Sequence, residues 1–120
     1  MKYMLMIYQN PAAFEALSKD EMRKVMDEAT AIWQELKGTG EFVSGEALAN
    51  PLTSKTVRVR NGVPAVTDGP YLESKEQLAG YLVIECTTEQ RAIDIAARWP
   101  DAKYWAMEVR PVMHGSGVEM

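Results

Sequence analysis

From Asp68 to Glu76 the chain reads Asp-Gly-Pro-Tyr-Leu-Glu-Ser-Lys-Glu, which sets Asp68, Glu73 and Glu76 around one amine, Lys75. Carboxylates beside a lysine at the mouth of a cleft can do acid/base work, because burial and neighbouring charge shift a carboxyl toward general-base duty. The same residues also read as a turn. Asp68 can accept backbone N–H bonds, Gly69 can take positive φ and Pro70 fixes the next φ, so Asp68 is assigned to the turn. For Glu73, Lys75 and Glu76 folding supplies no reason, and they stand as ligand-binding candidates. Paired carboxylates are also common on solvated faces, where they do little.

Ser44 and Glu46, in Val-Ser-Gly-Glu-Ala-Leu, form a second polar group expected near the first. Arg58, Arg60, Glu108 and Arg110 read as surface or interface ion pairs ahead of substrate contacts. His114 is the one histidine and falls in a loose C-terminal stretch, a poor mounting for a general base. Cys86, the one cysteine, ends the apolar run Gly80–Cys86 and reads as a buried structural thiol. Serine–histidine and cysteine–histidine catalysis are therefore disfavoured, as is a transition-metal site. Glycine-rich phosphate loops, paired-cysteine motifs and the common hydrolase signatures are missing, and no cofactor is expected.

A formal net charge of −4 speaks against a nucleic-acid partner. The apolar run at Lys2–Tyr8 is too short for a secretion signal or a membrane span, and with the lone cysteine it leads to the expectation of a cytoplasmic protein.

The elements that must position these residues follow from periodicity. Lys2–Tyr8 is apolar on both alternations and predicts a buried strand. A short helical turn at Pro11–Leu17 precedes Ser18-Lys19-Asp20-Glu21, a capping box. Met22, Val25, Met26, Ala29, Ile32, Trp33 and Leu36 then form one helical stripe, read as core, up to Gly38–Gly40. Glu41–Gly45 is strand-like. Asn61-Gly62 lies between two β-branched runs and predicts a hairpin. Gly80–Cys86 predicts a central strand, Arg91–Trp99 a helix introduced by Thr87–Gln90, and Lys103–Val112 a last strand.

That order is the β-α-β-β-α-β pattern of an α+β, ferredoxin-like fold with an inserted hairpin, one domain over residues 1–112 followed by a flexible tail, 113–120. Two helices cover one face of such a sheet. Met4, Met6, Tyr8, Tyr81 and Val83 make the other face apolar, so a homodimer with sheets packed face to face is expected.

Met1–Tyr8, Val43–Leu48, Lys55–Gly62, Thr67–Glu85 and Glu108–Val112 together resemble, in order, the DGPF-domain branch of the YCII-related superfamily. Its name motif stands here as Asp68-Gly69-Pro70-Tyr71, with tyrosine in place of phenylalanine. The resemblance implies a dimeric α+β barrel and, for some members, a link to extracytoplasmic-function sigma factors. The family pattern carries over onto Ser44, Gly45, Glu46, Asp68, Gly69, Pro70, Glu73, Lys75, Glu76 and Gly80. A histidine–aspartate pair proposed for the wider group falls near Ala29 and Gly38, neither of which can move a proton. The expectation is therefore a dimer whose cleft binds or senses a small molecule, with metal-independent acid/base chemistry on the Asp68–Glu76 loop as the alternative.

Overall fold

The computed structural model describes residues 1–113. Its strands are β1 (Lys2–Gln9), β2 (Phe42–Ala47), β3 (Lys55–Arg60), β4 (Val63–Asp68), β5 (Gln77–Glu85) and β6 (Ala106–Pro111). Its helices are α1 (Pro11–Glu15), α2 (Lys19–Thr39), α3 (Glu89–Arg98) and α4 (Asp101–Tyr104). The order β2-β5-β1-β6, antiparallel throughout, is the ferredoxin-like α+β sheet, and β3-β4 form a separate hairpin.

α2 begins where the sequence places it. Ser18 accepts from the Glu21 N–H while Glu21 reaches back to the Ser18 N–H, and Gly40 closes the helix at φ 81°. Thr88 caps α3 by accepting from the Arg91 N–H. Asn61 at φ 53° and Gly62 at φ 74° supply the two left-handed residues that a tight hairpin turn needs.

Register divides the sheet into two faces. Tyr3 opposite Ile84, Leu5 opposite Leu82 and Ile7 opposite Gly80 turn toward the helices, where Ile32, Leu36, Ala92, Ile95 and Trp99 complete the core. Met4 opposite Val83 and Met6 opposite Tyr81 share the open face, as their alternation predicts. A bulge between Ile7 and Tyr8 leaves Ala79 as the extra residue of β5, because Tyr8 pairs with Leu78.

Two expectations are corrected. The last strand does not start at Lys103: Asp101–Tyr104 form a helical turn closed by the Trp105 N–H on the Asp101 carbonyl at 2.8 Å, and β6 begins only at Ala106. The stripe on α2 is not wholly core either. Val25, Ile32 and Leu36 are buried, while Met26 is 55% exposed, because it sits about 100° around the helix from buried Val25. His114 and most of the expected tail lie outside the described residues.

The radius of gyration is 16.3 Å, against about 14 Å for a compact chain of this length, and the thinnest extent is 18 Å. The β3-β4 hairpin pairs with no strand of the main sheet. Val57, Val59, Val63 and Val66 on it are all more than half exposed.

Candidate functional site

The Asp68–Glu76 loop takes its shape from backbone bonds. The Gly69 N–H donates to the Ser54 carbonyl at 2.8 Å, and the Thr56 hydroxyl donates to the Gly69 carbonyl at 2.8 Å. Gly69 sits at φ 96°, a conformation that a side chain would strain. Gln77 donates to the carbonyls of Leu72 and Ser74, both at 2.9 Å, and so latches the far end of the loop. The Asp68 carboxylate does not close a turn on backbone N–H groups. It ends β4 directly opposite Lys55 and pairs with that ammonium across the hairpin.

Asp68, Glu73 and Lys75 do come together. With Asn10, Glu15, Asn50 and Ser74 they line an open hollow of about 770 Å³. Glu76 is exposed and stands outside it. Every acid and amine here is well exposed, with the Asp68 side chain at 84%, so bulk water screens them. The second polar group lies elsewhere: Ser44 opposite Val83 and Glu46 opposite Tyr81 fall on the open sheet face.

A different cavity lies beneath α2. It has a volume of about 450 Å³, and its walls are Phe14 from α1, Met26, Ala29 and Trp33 from α2, Phe42 from β2 and Trp99 after α3. Its floor is open because the helix-facing residues at this end of the sheet are Gly45, Ala47 and Gly80. A Cβ on Gly80 would stand 2.7 Å from the Glu46 carbonyl oxygen, and one on Gly45 would stand 2.9 Å from the Tyr81 carbonyl oxygen. Those glycines let β2 and β5 meet without filling the space. At the other end Tyr3, Leu5, Leu82 and Ile84 close it.

One carboxyl faces this apolar space. Asp101 is 3% exposed and is the one buried polar residue of the core among the described residues. The Gln9 side-chain amide donates to its Oδ2 at 2.8 Å. Burial pushes the Asp101 carboxyl above its ordinary value, and hydrogen bonds from Gln9, its own backbone and Trp99 pull partly the other way. Periodicity had no means of finding it. The available signal was Trp99-Pro100-Asp101, a small acid wedged between an indole and an apolar helical end, which reads equally as a helix start.

The two hollows border a common recess. A smaller recess shares Gln9 and Phe14 with the α2 cleft, and Glu15, Asn50 and Gln77 with the loop hollow. Beyond the trough, Arg91 grips Glu41 through two bonds of 2.9 and 2.8 Å, and Arg98 grips Glu35 at 2.8 and 3.0 Å. These pairs tie α3 to α2 and to the start of β2. Cys86 is buried, and burial raises its thiol pKa, consistent with a structural role. Among the described residues no group of three or more His, Cys, Asp or Glu is placed to hold a metal ion. No described helix is long and apolar enough to cross a membrane.

Comparison with known proteins follows the same lines. The sequence profile of the YCII-related domain matches residues 1–115. An uncharacterized protein of Rhizobium meliloti (strain 1021) is 31% identical over 114 residues, covering 93% of this chain and 92% of its own. Among solved structures, 5-chloro-2-hydroxyhydroquinone dehydrochlorinase from Burkholderia phenoliruptrix AC1100, in complex with 2,5-dihydroxybenzoquinone, superposes with a TM-score of 0.56. That match covers 98% of both chains at 14% identity, and at that identity it speaks for the fold.

Proposed function

This chain belongs to the YCII-related domain family, and from that premise we propose that it binds a small molecule in the cleft beneath α2. The observation that carries the reading is an apolar cavity of about 450 Å³ with a single buried carboxyl on its wall. Ligand sites in general pair a mostly apolar lining with a few placed polar groups, in clefts of roughly 300–1,000 Å³. The loop hollow is larger, but its charges stand in water and hold nothing fixed. Asp68, Glu73 and Lys75 act in this reading at the entrance, Glu76 and Ser44 outside it, and Glu46 borders the cleft from β2 at a position whose side chain belongs to the other sheet face.

Assignment to the DGPF branch, rather than to the wider family, rests on the Asp68–Tyr71 motif, and with it goes the sigma-factor link as a route for a ligand signal. A homodimer belongs to the same proposal. The β3-β4 arm is two strands with an exposed valine face, and a lone hairpin of that kind is marginal in water. A second copy covering the arm would remove that exposure, and on the open sheet face it would cover Met4, Tyr81 and Val83, which are partly exposed around buried Met6.

A thermal-shift screen tests the binding reading. The dehydrochlorinase acts on a chlorinated ring compound, so hydroxylated rings belong in the panel beside aliphatic acids and amines. A ligand at about 100 times its Kd stabilises by roughly 2.7 kcal/mol, and Ala29→Phe, which fills the cleft, removes that shift. A panel without any shift, or shifts that survive Ala29→Phe, would overturn the proposal.

A further inference from the structure

We infer that Asp101, held by Gln9, is the polar anchor of the α2 cleft and that the cleft takes a compact aromatic molecule bearing a neutral hydroxyl. The inference rests on the cleft being a binding site and names what it selects. Four observations carry it.

First, the walls are rings and a thioether. Phe14, Trp33, Phe42 and Trp99 border the space with Met26, and aromatic and sulfur-bearing side chains pack well against a planar ring. Trp33 and Phe42 already stand edge to face with centroids 6.1 Å apart, which fixes one corner. Second, the polar equipment is an acceptor. An ionised carboxylate offers about four lone-pair sites and no donor; the Gln9 amide takes one at Oδ2 and bonds from Trp99 and the residue's own backbone take two more, which leaves about one for a ligand. A ligand hydroxyl supplies the donor that an aromatic hydrocarbon lacks. Third, the charge balance excludes an anion. The ionisable residues bordering the cleft are Asp101, Glu46 and Tyr81, with no lysine or arginine among its lining residues. A carboxylate or phosphate would meet repulsion and no counter-charge. Fourth, Gln9 cannot leave its post freely. It ends β1 opposite Gln77, one residue past the last pair with β6, so its amide reaches Asp101 from backbone held by β5.

A tether between β1 and α4 would also explain the Gln9–Asp101 bond, and that role alone predicts no preference among ligands. The difference is measurable with matched probes. 2-Naphthol and 2-methoxynaphthalene share a ring system, and only the first can donate a hydrogen bond. Fluorescence titration of the intact protein should show 2-naphthol binding about 10-fold tighter than the ether, the size of one bond to a charged acceptor. Asp101→Asn, whose amide oxygen is a weaker neutral acceptor, should reduce that preference, and Asp101→Ala, which has no acceptor, should remove it. A second measurement needs no variant. Gln9, Trp99 and the Asp101 backbone face the carboxyl, and 2-naphthol stays neutral through the acidic range. Lowering the pH through the Asp101 titration should therefore weaken 2-naphthol and spare the ether.

Equal affinity for the two probes in the native protein, or a preference that persists in Asp101→Ala, overturns the assignment of Asp101 and leaves the cleft standing. Binding of both probes that is unaffected by Ala29→Phe removes the cleft itself.

Discussion

The two hollows at either end of the trough contain similar chemistry and differ in what surrounds it. At the loop, three side chains proposed from sequence line a space of about 770 Å³, yet water reaches all of them. Beneath α2, one carboxyl lines about 450 Å³, and burial alone shifts its proton affinity upward. Number of charged groups is thus a poor guide to a site. What matters is whether the scaffold removes solvent from around them, as it does at Asp101, which is 3% exposed beside the gap that Gly45, Ala47 and Gly80 leave under the helix.

The sharpest way to break this contrast is to fill the gap from its floor. Gly80→Val should cost about 3 kcal/mol or more, because the atom 2.7 Å from its Cβ is a backbone oxygen that cannot rotate away. Chemical denaturation measures it, and a loss under 1 kcal/mol would mean that the floor yields. Next in size is Glu41→Ala, which leaves Arg91 without its two-bond partner and should cost roughly 2 kcal/mol at neutral pH.

Acid treatment reads the same clamp from another side. The Arg91 hydrogen bonds hold the Glu41 carboxyl down to about 2. Its stabilisation is complete above the ordinary value of 4.5 and disappears as pH falls toward about 2. Asp101 has the opposite sign. Its raised value means the folded chain keeps a proton that the unfolded chain gives up, so this group costs stability as pH rises from 3.8 through the folded value. Stability curves of Glu41→Gln and Asp101→Asn should therefore depart from the native curve in opposite directions on acidification. Parallel curves would remove the contrast.

Smaller effects are expected at the loop. Gly69→Ala should cost about 1 kcal/mol through its φ of 96°, with no clash since nothing lies within 4 Å of the added methyl. Glu73→Ala and Lys75→Ala should each stay within about 0.5 kcal/mol and leave cleft binding unchanged. A large fall in affinity from either would move the site to the loop.

Most of the fold was legible because its signals are local. The Ser18 capping box, the Asn61-Gly62 turn and the alternation along β1 each follow from neighbours a few residues apart, and each stands where the residues place it. The site was less legible for the same reason. Asp101 matters through Gln9, ninety-two positions away, and through rings from four separate segments. Lys103–Trp105 misled for a related cause: their alternation fits a strand, but Trp105 finds its partners in Phe14 and Tyr104, at 6.2 and 5.4 Å between ring centroids, rather than in the sheet.

The single extra residue in β5 has a consequence for how this chain can change. Because Ala79 is unpaired, the strand reverses its in–out alternation there, and Gln77 falls on the side of Gln9, where it latches the loop. Deleting Ala79 would restore a regular ladder in which Leu78 still faces Tyr8 and Gln77 still faces Gln9, so the latch would stay on its present face. Loss of that one position is thus tolerated by the latch and by the pairing of β1 with both halves of β5, whereas loss of a paired residue such as Leu78 would shift Gln77 to the other face.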